Sequence, residues 1–155
     1  MAIDLGDKRT GLAVGDMQTR IASPAGVLEV SAAQRDGAAL IEAIVKAVEE
    51  HGAKALVVGL PLNMDGSEGP RAKKTRAFAE RLARATGLAV EMQDERLTSS
   101  AADWRMARTG LTREGKKMKR DALAAAALLE DFLAARAGET RPATERGASS
   151  EPGIG

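Results

Sequence analysis

The stretch that decides the fold opens the chain: Ala-Ile-Asp-Leu at residues 2–5, a Gly-Asp-Lys turn at 6–8, and Gly-Leu-Ala-Val-Gly at 11–15. Two short apolar runs separated by turn residues predict a β-hairpin. A third strand is expected near residues 25–30. One residue breaks the apolar pattern, because Asp4 stands between Ile3 and Leu5 in a strand that must be central. The first strand therefore carries a carboxylate into the sheet.

Beyond the hairpin, apolar periodicity and turn residues predict alternating helices and strands. A helix is expected from Ser31, where Ser31 and Gln34 fit a capping box, to Gly52. The later elements follow in order: a buried strand over 55–60, a loop over 61–70, a helix from Pro70 to about Ala85, a strand near 88–92, a short helix capped by Thr98 or Ser99 and ending before Gly110, a polar, mobile loop over 110–117, and a last helix over about 118–136. This order predicts an α/β fold with a mixed five-stranded sheet flanked by helices.

The composition suits one domain and excludes several kinds of site. Of 155 residues 44% are hydrophobic, there is no cysteine, and His51 is the single histidine. Disulfides, thiolate zinc sites and multi-histidine metal sites are therefore excluded. We expect residues 1–137 to form the domain and 138–155, which are almost devoid of apolar residues, to be a disordered tail.

Charge is unevenly distributed in a chain whose formal net charge is only +1. Residues 71–120 carry 14 basic and 6 acidic residues, a net charge of +8. This pattern fits either a face that binds a polyanion or the solvated surfaces of ordinary helices. The sequence shows neither a run of apolar residues long enough to span a membrane nor a signal segment, so a cytoplasmic protein without membrane contact is expected.

Acidic residues occupy positions where burial is expected. Asp4 lies in the central strand, Asp121 lies at the start of the apolar face of the last helix, and Asp94 and Glu95 end the last strand. A buried, unpaired carboxylate costs several kcal/mol. Each acid alone fits a cap or a turn, and arginines could neutralise them. If they converge, a pair of Mg²⁺ or Mn²⁺ ions would suit an all-oxygen ligand set and would serve phosphoryl chemistry.

Four stretches together resemble the motifs of the YqgF/RuvX family, in the order in which that family carries them. They are Asp-Leu-Gly-Asp-Lys-Arg-Thr-Gly at 4–11, Val-Gly-Leu-Pro-Leu-Asn-Met-Asp-Gly-Ser-Glu-Gly-Pro at 58–70, Asp-Glu-Arg-Leu-Thr-Ser at 94–99, and Lys117 through Asp121. The resemblance covers residues 1–136. The chain departs from the family at Thr10, where an apolar β-branched residue is usual, and its first strand is unusually short.

The resemblance implies a ribonuclease H-like fold and a nuclease that matures precursor 16S ribosomal RNA or resolves Holliday junctions. It implies that Asp4, Glu95 and Asp121 bind metal and carry catalysis. Asp94 is a further candidate ligand, although adjacent residues at a strand end point to opposite faces, so we expect one of the two neighbours to face the metals. The chain is expected to act as a monomer or homodimer.

Basic residues near the predicted acids are the candidates for binding nucleic acid. Arg9 and Arg96 flank the acids in sequence, and a cluster precedes Asp121. Such side chains hold phosphates without reading sequence. The full candidate set is Arg9, Arg96, Lys116, Lys117, Lys119 and Arg120.

Two other functions fit parts of the sequence. Asp-x-Gly with a further glycine also resembles the phosphate loop of actin-like ATPases and sugar kinases, but that architecture needs two such domains and this chain holds one. A nucleic-acid-binding module without catalysis is the other alternative. Cleavage of labelled RNA and branched DNA with Mg²⁺, Mn²⁺ or EDTA distinguishes these possibilities.

Overall fold

The structure, a computed structural model, describes residues 1–96 and 113–139. Five strands lie in one sheet in the order β3-β2-β1-β4-β5. Their bounds are β1 Ala2–Leu5, β2 Thr10–Gly15, β3 Ala22–Leu28, β4 Leu56–Leu60 and β5 Val90–Asp94. The first three strands form an antiparallel meander, whereas β4 runs parallel to β1 and β5 parallel to β4. The predicted mixed five-stranded sheet is confirmed.

In the described segments three α-helices cover the two faces of this sheet: α1 Ala38–His51, α2 Pro70–Thr86 and α3 Arg113–Glu139. Because side chains alternate along a strand, Ile3 of β1 packs into the cluster that contains Leu40 of α1 and Leu82 of α2. Its neighbour Ala2 packs on the other face, against Leu128 of α3. The centre of the sheet is therefore buried on both faces, and each strand residue belongs to either the α1/α2 side or the α3 side.

Helix α1 begins later than the capping box predicted. The Ser31 hydroxyl accepts a hydrogen bond from Ala33 N at 3.2 Å, but the chain does not continue into the helix from there. A short 3-10 turn, Gln34–Gly37, comes first, and Arg35 and Asp36 inside it adopt positive φ values of 50° and 54°. Such left-handed residues interrupt a helix, so α1 starts only at Ala38.

The start of α3 is also corrected. Residues 113–117, predicted to be part of a polar, mobile loop, are helical. Lysine, arginine and glutamate are good helix formers, so a polar stretch without proline need not be a loop. Asp121 consequently lies more than two turns inside α3 instead of at its start.

Two expectations lie outside the described residues: the short helix ending before Gly110 and, from residue 140 onward, the disordered tail. The division into residues 1–137 and 138–155 therefore stays a prediction. None of the helices in the described segments combines the length and the apolar character needed to cross a bilayer.

Candidate active site

The carboxyl groups of Asp4 and Glu95 meet on the α3 side of the sheet. Asp4 lies in β1 directly opposite Gly11 of β2. Glu95 follows the last residue of β5, and its backbone N donates a hydrogen bond to Leu60 O of β4 at 3.3 Å. The Asp4 carboxyl donates a hydrogen bond to the Glu95 carboxylate. Residues 91 positions apart in sequence thus form a direct carboxyl pair.

Burial is the main electrostatic influence on this pair. Burial, the neighbouring Glu95 carboxyl group and, to a lesser extent, Asp121 together raise the pKa of Asp4 to about 7, although the positive charge of Arg71 acts to lower it. Burial also raises the pKa of Glu95, against the opposing effects of the Asp4 hydrogen bond and of Arg71. The two groups therefore share one proton readily, as like charges in contact do when neither is fully solvated.

A glycine in β4 leaves the space that Glu95 occupies. A Cβ atom built on Gly59 would lie 2.5 Å from Glu95 Oε2 and 3.2 Å from Leu128 Cδ2. Gly59 belongs to the α3 side of the sheet, the same side as Asp4, because its neighbour Val58 packs in the α1/α2 cluster. Any side chain here would push the Glu95 carboxylate away from Asp4.

A second glycine brings α3 close to the sheet. A Cβ atom on Gly11 would overlap the main-chain carbonyl oxygen of Asp121. The helix can therefore pack at this distance only because Gly11 has no side chain. The close approach places Asp121 beside β1 and β2, where its charge acts on Asp4.

Asp121 is near the pair but is held by a different partner. Arg9 Nε lies 3.7 Å from Asp121 Oδ2. In the described part of the chain no three acidic or histidine side chains are arranged as a ready-made metal site. The structure thus brings Asp4 and Glu95 into contact and leaves Asp121 within electrostatic reach, paired with Arg9.

Asp94 lies on the other side of the sheet from Glu95. Its register partner is Leu60, which belongs to the opposite face from Gly59. Arg96 Nε donates to Asp94 Oδ2 at 2.8 Å, and this hydrogen bond holds the pKa of Asp94 below its usual value. Another donor of Arg96, Nη1, reaches Met64 O at 3.3 Å. Asp94 and Arg96 therefore fasten β5 to the β4–α2 loop.

The predicted phosphate-binding residues of the last helix are only partly described. Lys119 and Arg120 are exposed on α3, whereas the side chains of Lys116 and Lys117 lie outside the described residues. Arg71 is the residue that the sequence analysis did not include among the candidates. It is exposed on α2, and its charge acts on both Asp4 and Glu95. Its place in the first turn of α2, directly after the loop from β4, was the available signal.

Comparison with solved structures shows the fold. Thermus thermophilus RuvC in complex with a Holliday junction substrate superposes with a TM-score of 0.53 at 20% identity, over 88% of this chain and 93% of that one. A second T. thermophilus RuvC structure gives a TM-score of 0.50 at 19% identity, over 88% of this chain and 94% of that one. The fold is ribonuclease H-like, as the sequence motifs implied.

Sequence relatives and a family profile agree with each other. A Chloroflexus aurantiacus protein named "Putative pre-16S rRNA nuclease" is 40% identical over 136 residues, which cover 88% of this chain and 86% of the relative. A protein of the same name from Anaeromyxobacter sp. strain Fw109-5 is 42% identical, over 88% of this chain and 96% of the relative. The profile of the RuvX family, described as Holliday junction resolvase, matches residues 1–135. The chain therefore belongs to the RuvX family, whose members are nucleases of the ribonuclease H-like fold.

Proposed function

We propose that this chain is a metal-dependent endonuclease that hydrolyses phosphodiester bonds in precursor 16S ribosomal RNA, in the maturation of its 5′ end. The buried Asp4–Glu95 carboxyl pair is the observation that carries the proposal. Two adjacent, largely buried carboxyl groups on the α3 side of the sheet destabilise the fold, and groups of this kind are typical of functional sites. The names of the relatives support the RNA substrate.

The donor set fits Mg²⁺ or Mn²⁺. Asp4 and Glu95 offer only carboxylate oxygens, which are the ligands these hard cations prefer, and Asp121 is the third acid in reach. Asp94, held by Arg96 on the other side of the sheet, is the weakest of the four candidates. In a two-metal site the bound cations supply positive charge for the attacking and leaving oxygens of an in-line displacement.

The chain's own residues orient the site. Strand β1 fixes the backbone of Asp4, and the hydrogen bond from Glu95 N to Leu60 O fixes the turn that carries Glu95. Arg9 orients the Asp121 carboxylate from the β1–β2 turn. Leu128, almost fully buried beside Gly59, excludes water from the inner side of the pair. These contacts pre-organise the carboxylates before substrate arrives.

A four-way DNA junction is the second candidate substrate, because the family profile that matches the chain is described as a Holliday junction resolvase. Maturation of precursor ribosomal RNA takes place where ribosomes assemble, so we propose a cytoplasmic location for the first candidate. Both substrates require hydrolysis of a phosphodiester bond, and they differ in shape and in the 2′-hydroxyl groups that only RNA carries.

Cleavage of labelled precursor 16S RNA and of a four-way junction, each with Mg²⁺, Mn²⁺ or EDTA, tests the proposal. We expect cleavage with either metal, none with EDTA, and none from Asp4→Asn or Asp121→Asn, because a carboxamide removes the anionic oxygen at nearly constant shape. Asp7→Asn is the matched control, since Asp7 belongs to the same motif but is exposed. Wild-type rates in the Asp4→Asn variant would end the metal assignment. Binding without cleavage in every metal would favour a non-catalytic module.

A further inference from the structure

The arginines around the candidate site differ in one respect, which is whether a carboxylate holds them. Arg9 pairs with Asp121, and Arg96 pairs with Asp94. Arg76, one turn and a half into α2, pairs with Glu68. The side chain of Arg71 is exposed, and within residues 1–96 and 113–139 it makes no ion pair. Arg71 is therefore the arginine of this group whose hydrogen-bond donors stay available to a ligand.

The position of Arg71 is fixed by a well-ordered loop. Asn63 N donates to Ser67 O, and Gly66 N donates to Asn63 O, both at 2.9 Å. Ser67 N donates to Asp65 Oδ1 at 2.9 Å. The loop leads from the end of β4 to Pro70, which begins α2. The first turn of α2 is thus held at the carboxyl end of the parallel strands, the same end at which Glu95 emerges.

The charge of Arg71 acts on the carboxyl pair without an ion pair to either member. It influences both Asp4 and Glu95, whereas Arg84 at the other end of α2 influences neither. A guanidinium in the first turn of α2, exposed at the end of the sheet where Glu95 emerges and in ion-pair contact with neither carboxylate, can donate to a group that binds beside the pair. That group must accept hydrogen bonds from a guanidinium and lie beside the metal-binding carboxylates.

We propose that Arg71 is a catalytic residue that donates hydrogen bonds to the non-bridging oxygens of the scissile phosphate. This inference rests on the proposed nuclease function. A guanidinium matches the geometry of a phosphate through two parallel N–H donors, which an ammonium cannot do. In the transition state the same donors stabilise the charge that develops on the phosphate oxygens.

The variants Arg71→Ala, Arg71→Lys and Arg84→Ala test this assignment in the full-length protein. Arg84→Ala is the matched control because this substitution removes the same charge from the same helix at a position 13 residues further on, about 20 Å from Arg71 along the helix axis. We expect Arg71→Ala to lower kcat by about 10²-fold, which is the usual cost of one lost donor to a developing oxyanion. Arg71→Lys is expected to recover part of the loss, and Arg84→Ala to cleave as the wild type does. Equal rates for Arg71→Ala and Arg84→Ala would overturn the assignment.

A binding measurement separates this inference from the proposed function. In the non-cleaving Asp4→Asn background, affinity for labelled precursor RNA is measured across a range of salt concentrations. We expect the added Arg71→Ala change to reduce the salt slope by about one, as the loss of one phosphate contact does. An unchanged slope would refute the phosphate contact even if the wild type cleaves. Failure of the wild type to cleave in any metal, with the slope still reduced, would refute the nuclease and retain the contact. Thermal melting of each variant shows whether it is folded.

Discussion

Adding one methyl group at Gly59 should damage catalysis far more than stability. In the Gly59→Ala variant the new Cβ atom would lie 2.5 Å from Glu95 Oε2, whereas ordinary contact begins at 3.4 Å. The carboxylate oxygen must therefore withdraw by the difference, about 0.9 Å. A misplacement of about 1 Å in a catalytic group can cost about 10²-fold in rate. We expect the rate of RNA cleavage to fall by about that factor.

The cost to folding should be small because the atoms that must move are the ends of flexible side chains. Besides Glu95, the nearest atom is Leu128 Cδ2 at 3.2 Å, which needs to move by only a few tenths of an ångström. Replacing glycine by alanine in a strand also recovers part of the conformational entropy that glycine loses on folding. We expect the free energy of unfolding to change by less than about 1 kcal/mol, since overpacking and entropy act in opposite directions.

Steady-state cleavage and urea unfolding of the same preparation provide the two measurements. Gly138→Ala is the matched control, because a Cβ atom there meets nothing within 4 Å. It should leave the cleavage rate at the wild-type value and raise the unfolding free energy by no more than about 1 kcal/mol, the gain in helix propensity at this position in α3. Full activity of Gly59→Ala would refute the view that the position of the Glu95 carboxylate limits the reaction. A loss of several kcal/mol in unfolding free energy would show that Gly59 serves packing instead of the site.

Two further predictions concern stability. Thr10→Val should raise the free energy of unfolding, measured by urea titration, by about 1 kcal/mol, because Thr10 Oγ1 is buried and has no hydrogen-bond partner among the described residues. Thr75→Val is the control: it removes a buried hydroxyl that donates to Arg71 O and should give no such gain in the same titration. In EDTA the unfolding free energy should fall as pH rises from about 4 to about 7, because the folded state keeps the Asp4 proton to about pH 7 whereas the unfolded state loses it near its ordinary pKa of 3.8. Asp4→Asn should reduce this slope, and an identical slope in that variant would contradict the assignment.

The sequence alone was sufficient to predict the sheet and the place of Asp4 in a central strand. A hairpin at residues 2–15 followed by an apolar run at 55–60 permits few arrangements, and the structure adopts the expected mixed sheet. Strand alternation also left only one of Asp94 and Glu95 facing the α3 side. Which of the two it is depends on the register of β5 against β4, with Leu60 opposite Asp94. Register is a property of packing and could not be read from the alternation of five residues.

Helix starts were harder to predict because local signals compete. Ser31 does accept the hydrogen bond expected of a cap, but positive φ values at Arg35 and Asp36 delay the helix. The polar character of residues 113–117 suggested a loop, although all of them except Gly115 are good helix formers. Arg71 was not among the predicted site residues because periodicity describes helix faces and not helix ends. A long side chain in the first turn of a helix can extend past the helix end toward the end of the sheet, whichever face of the helix it occupies.

The geometry of the site depends on two glycines more than on any charged residue. Charge explains why Asp4, Glu95 and Asp121 suit a cation, but it does not bring them together, because without a cation Asp4 and Glu95 stay in contact only by sharing a proton and Asp121 pairs with Arg9. Because Gly59 has no side chain, the Glu95 carboxylate fits against the α3 side of the sheet, and because Gly11 has none, the backbone of α3 at Asp121 can approach the sheet closely. Both glycines weaken their strands in isolation, because they add no packing surface. Their positions opposite the acids account for this loss of strand stability. The two glycines let the sheet, the turn that carries Glu95 and helix α3 approach closely, so that the three acids are held near one another before a cation binds.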